Sequence, residues 1–309
     1  MNPYKGADFF SFFTILAKRL FTGILPLASD EKQLIVFLGV ALSCAIVGGL
    51  LVLRRMTMMA NAISHTVLLG IVAVFLIVGA QSYSLILPSP LFFMGALIAA
   101  VLTVVLITLF KTVFHLQEDA SIGLVFTGLF AISILLITKG AHNVHLGVEV
   151  IMGSGDLLVE EDIQIVWMVA LFNLGIFLLF FKEYKLSSFD EVFGATIGLY
   201  PRFFFGLLML QSAFTTVAAL RAVGVVIVLA FMVTPALIAK RYAKNFNQFI
   251  VISIASSFVA VFLAVALSRH ILSAYSLGLS TSGIASCLLA IFYIILQKKV
   301  IKVSSFSYG

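Results

Sequence analysis

Nine stretches of this chain are apolar for long enough to cross a bilayer: near 34 to 53, 57 to 79, 91 to 111, 122 to 138, 164 to 181, 203 to 220, 223 to 239, 247 to 268 and 280 to 297. A helix needs roughly 17 to 25 residues to span about 30 Å of hydrocarbon. No water reaches peptide groups in that layer, so stretches of this length must close their hydrogen bonds as α-helices. The expected fold class is all-α, a polytopic membrane bundle of eight or nine transmembrane helices, several of them at the short end. Composition agrees, since 62% of the 309 residues are apolar and 10% charged, with mean hydropathy +1.20, which excludes a soluble globular domain. A net charge of +6 would suggest nucleic acid in a soluble protein. Here the basic residues form short clusters between apolar stretches, where they set topology instead.

Residues 1–33 are expected to form an N-terminal interfacial segment or an extra span, because the apolar run 9 to 27 carries Lys18 and Arg19 at its centre. Residues 34–300 read as a single membrane domain and 301–309 as a cytoplasmic tail. The start MNPYKGADFFSFF lacks the basic region, compact apolar core and small-residue site of a cleaved signal peptide. Placing Arg54 and Arg55 in the cytoplasm also places there Lys111, Lys182, Lys185, Arg202, Lys240, Arg241, Lys244, Lys298, Lys299 and Lys302. The other side receives Lys139, Arg221 and Arg269, together with the acidic loop 139 to 163. Cys44 and Cys287 lie in apolar stretches, which argues against a disulfide framework or a thiolate metal site. No glycine-rich phosphate loop ending in Gly-Lys-Ser/Thr occurs, so nucleotide-driven work would need an ATPase on another polypeptide.

Two stretches carry more than hydrophobicity. In RRMTMMANAISHTVLLGI, residues 54–71, Thr57, Asn61, Ser64 and His65 recur at helical spacing and fall on one face. An imidazole and an amide are costly in hydrocarbon, so they are expected to face protein or a water-filled path. In SSFDEVFGATIGLY, residues 187–200, Ser188 and Glu191 have capping-box spacing, Asp190 adds charge to the first turn, and Gly198 is a helix terminator. A short helix follows, with Phe189, Val192, Phe193 and Ile197 on one side. It is either a knob that docks on a partner or a connector packed on its own protein, and an exposed apolar face would tip the balance towards docking.

These stretches, with EDASIGLVFTGLFAISILLI (118–137), VIMGSGDLL (150–158) and LRAVGVVIVLAFMVTPALIAK (220–240), resemble the manganese, zinc and iron permeases of ATP-binding-cassette importers. The resemblance runs from about residue 34 to 297. It implies the fold of the cobalamin, siderophore and metal importer permeases, working by alternating access at a dimer interface. It implies as partners a separate ATPase, a metal-binding extracytoplasmic protein and a second permease subunit, identical or paralogous, in a bacterial inner membrane. The cargo would be a divalent metal, with no permanently bound cofactor, no catalytic residues and no nucleic acid. His65 and Asn61 are the implied metal residues, and Phe189, Asp190, Glu191, Phe193 and Gly198 the implied ATPase-coupling residues. One departure stands out: family members usually carry aspartate where this chain has Asn61, and an amide ligand brings no charge to a divalent cation.

Other residues invite weaker readings. His142, His145 and Glu149, followed by Asp156, Glu160, Glu161 and Asp162, suit a metal entrance, a docking loop or a plain solvated loop. His115, Glu118 and Asp119 are expected at the inner surface in structural or coupling roles. Thr234-Pro235 is expected to kink its span. The rival functions are a permease for a chelated metal (siderophore or cobalamin) of the same fold, and a secondary transporter, which would need charged groups deep in several spans.

Overall fold

The computed structural model describes residues 4, 9–22, 28–78, 89–140, 160–189 and 191–305, and every regular element among them is an α-helix. In chain order they are α1 Phe9–Thr22, α2 Ser29–Leu53, α3 Met58–Val78, α4 Ser89–Val113, α5 Glu118–Gly140, α6 Glu160–Leu179, α7 Phe181–Phe189, α8 Glu191–Thr196, α9 Pro201–Val223, α10 Val225–Tyr242, α11 Phe246–Tyr275 and α12 Thr281–Ser305. Eight of them, α2 to α6 and α9 to α11, are long and apolar enough to cross a membrane, and Thr281–Leu296 of α12 is a shorter apolar helix. The chain is thus the expected all-helical membrane bundle. With 14 residues, α1 reaches only about 21 Å at a rise of 1.5 Å per residue.

Hydrophobicity puts these helices in the membrane but does not order them, because lipid is as apolar as leucine. Small residues do that by allowing close approach. A Cβ on Gly48 of α2 would collide with the backbone of Met232 in α10, and one on Gly70 of α3 with the carbonyl of Gly95 in α4. Around Gly39 the neighbours are Val166 and Trp167 of α6, and the Trp167 indole donates to the Ile35 carbonyl at 3.2 Å. The result is a bundle with α2 at its centre, packed against α6, α9, α10 and α11, while α3 packs against α4, α5, α9 and α10.

Polar ends fasten the bundle where charge is cheap. On the side expected to be external, Arg221 at the end of α9 pairs with Asp162 at the start of α6 at 3.0 Å, and Arg269 of α11 pairs with Asp30 of α2 at 3.6 Å. Arg19 of α1 donates to Glu31 at 2.6 Å, the Tyr4 hydroxyl donates to the same carboxylate at 2.8 Å, and Arg269 donates to the Tyr4 carbonyl at 2.9 Å. The hydrogen bond to Glu31 holds the Arg19 guanidinium even more firmly protonated than usual, and burial pushes the Tyr4 phenol up. On the opposite side Lys111 meets Glu118 at 3.3 Å, and the Tyr242 hydroxyl donates to the Leu296 carbonyl at 2.8 Å. Arg221 with Asp162, and Lys111 with Glu118, each join two residues expected on the same face. Pro235 is buried inside α10, whose helix continues through it to Tyr242.

Candidate functional site

The stretch from Arg54 to Ile71 does not form one helix from its first residue. Arg54 and Arg55 make a turn, with Arg55 at φ +63°, and α3 starts at Met58, one residue after Thr57. From residue 59 to 70, α3 is buried everywhere except at Asn61, His65 and Leu69, which are half-buried. A spacing of four residues aligns these three along one line of the helix. Ser64 leaves the expected stripe: it is buried, and its hydroxyl donates to the Asn61 carbonyl at 2.7 Å. The imidazole of His65 packs on α5, its centroid 5.4 Å from both the Phe126 ring (46° between planes) and the Phe130 ring (64°), which stack on each other at 5.8 Å. Neither its ring nitrogens nor the Asn61 amide take a hydrogen bond among the described residues, so both are open to an incoming donor or cation.

No group of three or more histidine, cysteine, aspartate or glutamate side chains comes together among the described residues. His142, His145, Glu149 and Asp156 lie outside the described residues, while Asp162 is committed to its ion pair with Arg221. Glu118 pairs with Lys111, His115 occupies the turn before α5 at φ +52°, and Asp119 is exposed. Cys44 is buried and Cys287 exposed, both as free thiols.

The segment 187–200 departs from the expected capping box. The preceding helix α7 runs on through Phe189, so Ser188 sits in its last turn instead of opening a new helix, and its hydroxyl is buried without a partner among the described residues. A second, six-residue helix, α8, follows from Glu191 to Thr196. Asp190 between them lies outside the described residues. Gly198 ends the segment at φ +87°, where a side chain would be strained, as its terminator role requires. The apolar residues point outward: Phe189 is 65% exposed, Phe193 52%, Ile197 54% and Tyr200 79%. Four large apolar side chains this exposed outside the spanning helices are the kind of surface a docking partner would cover. Beside it Arg54, Arg55, Lys111, Glu118, Ser187 and Phe205 line a mostly polar cavity of about 430 Å³.

One polar cluster was not singled out from the sequence. At mid-bundle the Asn173 amide of α6 donates to Ser43 of α2 at 2.6 Å and to Thr215 of α9 at 2.7 Å, and those two hydroxyls lie 3.2 Å apart. Thr215 donates to the Gln211 carbonyl at 2.7 Å, and the Tyr184 hydroxyl of α7 donates to the Gln211 side chain at 2.5 Å. Burial raises the Tyr184 phenol well above its ordinary pKa, so it acts as a neutral donor. The signal was there: Asn173 and Gln211 each lie in the middle of an apolar stretch, where lipid would not tolerate an amide unpaired.

Eight helices of spanning length, with a line of accessible polar groups on α3, define a polytopic membrane protein. The family model described as "ABC 3 transport family" matches residues 31–299, and the chain belongs to that family. A protein named probable metal transport system membrane protein, from Chlamydia trachomatis, is 40% identical over 96% of this chain and 93% of its own length. The manganese transport system membrane protein MntC of Halalkalibacterium halodurans is 30% identical over 90% of this chain and 91% of its own. Among solved structures, PsaBC from Streptococcus pneumoniae in complex with Fab superposes with a TM-score of 0.70 at 26% identity, covering 91% of this chain and 95% of the other. This is therefore a multi-pass transport protein of a bacterial membrane.

Proposed function

We propose that this chain is the permease subunit of an ATP-binding-cassette importer that carries a divalent transition metal, manganese, zinc or iron, into the cytoplasm. The observation that carries the ion path is the line Asn61–His65–Leu69, the one part of α3 between residues 59 and 70 left accessible by its own bundle. A second permease subunit laid against that line doubles the donors and encloses them. Neutral imidazole suits these cations, and the Asn61 amide oxygen adds a weaker ligand without charge. So sparse a site fits transport, because an ion held tightly cannot leave. The metal reaches it from an extracytoplasmic binding protein.

The exposed residues Phe189, Phe193 and Ile197, with Asp190, Glu191 and the turn at Gly198, form the surface for a separate ATPase, whose closure on ATP moves the segment. Metal accumulation tests the whole reading, in cells expressing the complex and offered Mn²⁺, Zn²⁺ and Fe²⁺ in competition. Uptake of a free ion that is impaired in His65→Ala, with membrane insertion intact, is the expected result. Uptake of the metal only as a chelate would assign the chain to the siderophore or cobalamin class, and undiminished uptake by His65→Ala would remove the ion path from α3.

A further inference from the structure

We infer that Arg54 is the positioning residue that links the cytoplasmic segment α7–α8 to the stripe on α3. The inference rests on the reading above, in which that segment meets the ATPase and α3 borders the ion path.

Arg54 occupies a junction of three elements. It is the C-cap of α2. Through the turn at Arg55 it leads into α3, where Asn61 and His65 follow two and three turns later. Its guanidinium also reaches the last turn of α7, donating to the Ser187 carbonyl at 3.0 Å and, closely, to the Ser187 hydroxyl. That carbonyl needs a partner. α7 stops at Phe189, so Ser187 is among the last four residues whose carbonyls lack an intrahelical donor. A cation there also complements the negative end of the helix dipole. The Phe205 ring of α9, 5.7 Å from the guanidinium carbon, limits where the side chain can go.

The other contacts of α7 lead elsewhere: Phe181 and Phe189 pack on Phe246 of α11, with ring centroids 5.3 and 6.1 Å away. Tyr184 bonds Gln211 on α9, which connects to Thr215 and the mid-bundle cluster, away from α3. Among the described residues, Arg54 is thus the side chain that ties the end of α7 directly to the turn starting α3. If an ATPase displaces α8, Ser187 moves with it and draws on the guanidinium, and the strain enters the chain four residues before α3 begins. Both contacts come from one guanidinium nitrogen, Nη2, at the far end of the side chain, and the shorter side chain of lysine brings its ammonium less close to the two Ser187 oxygens.

The test uses the complete complex in liposomes, reading ATP hydrolysis and Mn²⁺ uptake in one preparation, with the ATPase and metal-binding partner present. Arg54→Ala should keep both the co-purifying ATPase and ATP hydrolysis, while Mn²⁺ moved per ATP falls by about five- to a hundredfold, the range of ordinary coupling free energies. Arg54→Lys should recover part of the ratio. Ser187→Ala should cost less than Arg54→Ala, since the carbonyl remains. An unchanged ratio in Arg54→Ala overturns the inference, as does a parallel fall of hydrolysis and uptake, the mark of a merely structural residue. If Arg54→Ala does not insert, the ratio in Arg54→Lys decides in the same way. His65→Ala is the control for the underlying reading: wild-type uptake there condemns the ion path, whatever the Arg54 variants do.

Discussion

α2 and α5 are both apolar helices of spanning length, yet 83% of the most apolar window of α2 is buried inside the protein against 28% for α5. Glycine shows the contrast most sharply. On α2, Gly39, Gly48 and Gly49 each face a neighbour at close range, whereas nothing lies within 4 Å of a Cβ placed on Gly123 or Gly128 of α5. Both helices carry small residues, but only on α2 do these set an interhelical distance. α2 also contributes Ser43 to the polar cluster, while the hydroxyls of Thr127 and Ser133 on α5 bond back to their own helix. A membrane helix becomes central through close approach and shared hydrogen bonds, since greasiness alone gives it no reason to prefer protein over lipid.

The sharpest way to break this contrast is to fill the glycines. Gly48→Leu drives a side chain into the Met232 backbone, which cannot step aside as a flexible side chain would. Overpacking of well-packed sites costs roughly 1–3 kcal/mol and sometimes more; α2 and α10 must part here, and the folded yield in detergent should collapse. Next in size is Phe193→Ala on the exposed knob, where loss of an aromatic anchor should weaken ATPase co-purification by on the order of 2 kcal/mol. Binding at wild-type strength would return residues 189 to 197 to an ordinary connector. His65→Ala should lower Mn²⁺ uptake about tenfold, equivalent to ~1.4 kcal/mol, with thermal stability unchanged because the ring is half-buried and forms no hydrogen bond among the described residues.

Asn173→Leu tests the cluster around α2 and should lower the melting midpoint by an amount corresponding to about 1 kcal/mol, in keeping with the modest worth of hydrogen bonds between membrane helices. The smallest effect belongs to Gly128→Ala on α5, expected within about 0.5 kcal/mol of wild type in the isolated chain. If Gly128→Ala were as damaging as Gly48→Leu, the distinction between the two helices would fail.

Much of this was legible from residue order alone. Stretches too apolar and too long for a soluble core had to become helices, because the bilayer supplies no partner for peptide groups. Asn61 and His65 drew notice because polar groups at that depth need a reason, and Gly198 was recognisable as a terminator because glycine is the residue that ends helices in a left-handed turn, which it does here at φ +87°. Other features needed the packed molecule. Ser64 shares a helical face with Asn61 and His65 in sequence, yet its neighbours cover it, and Ser188 has capping spacing but the helix before it simply continues. The meeting of Ser43, Asn173, Gln211 and Thr215 from three helices, and of Arg54 with Ser187 across 133 residues, has no local signature. Periodicity decides which side of a helix a residue occupies, while only the neighbours decide whether that side meets lipid, protein or an open path.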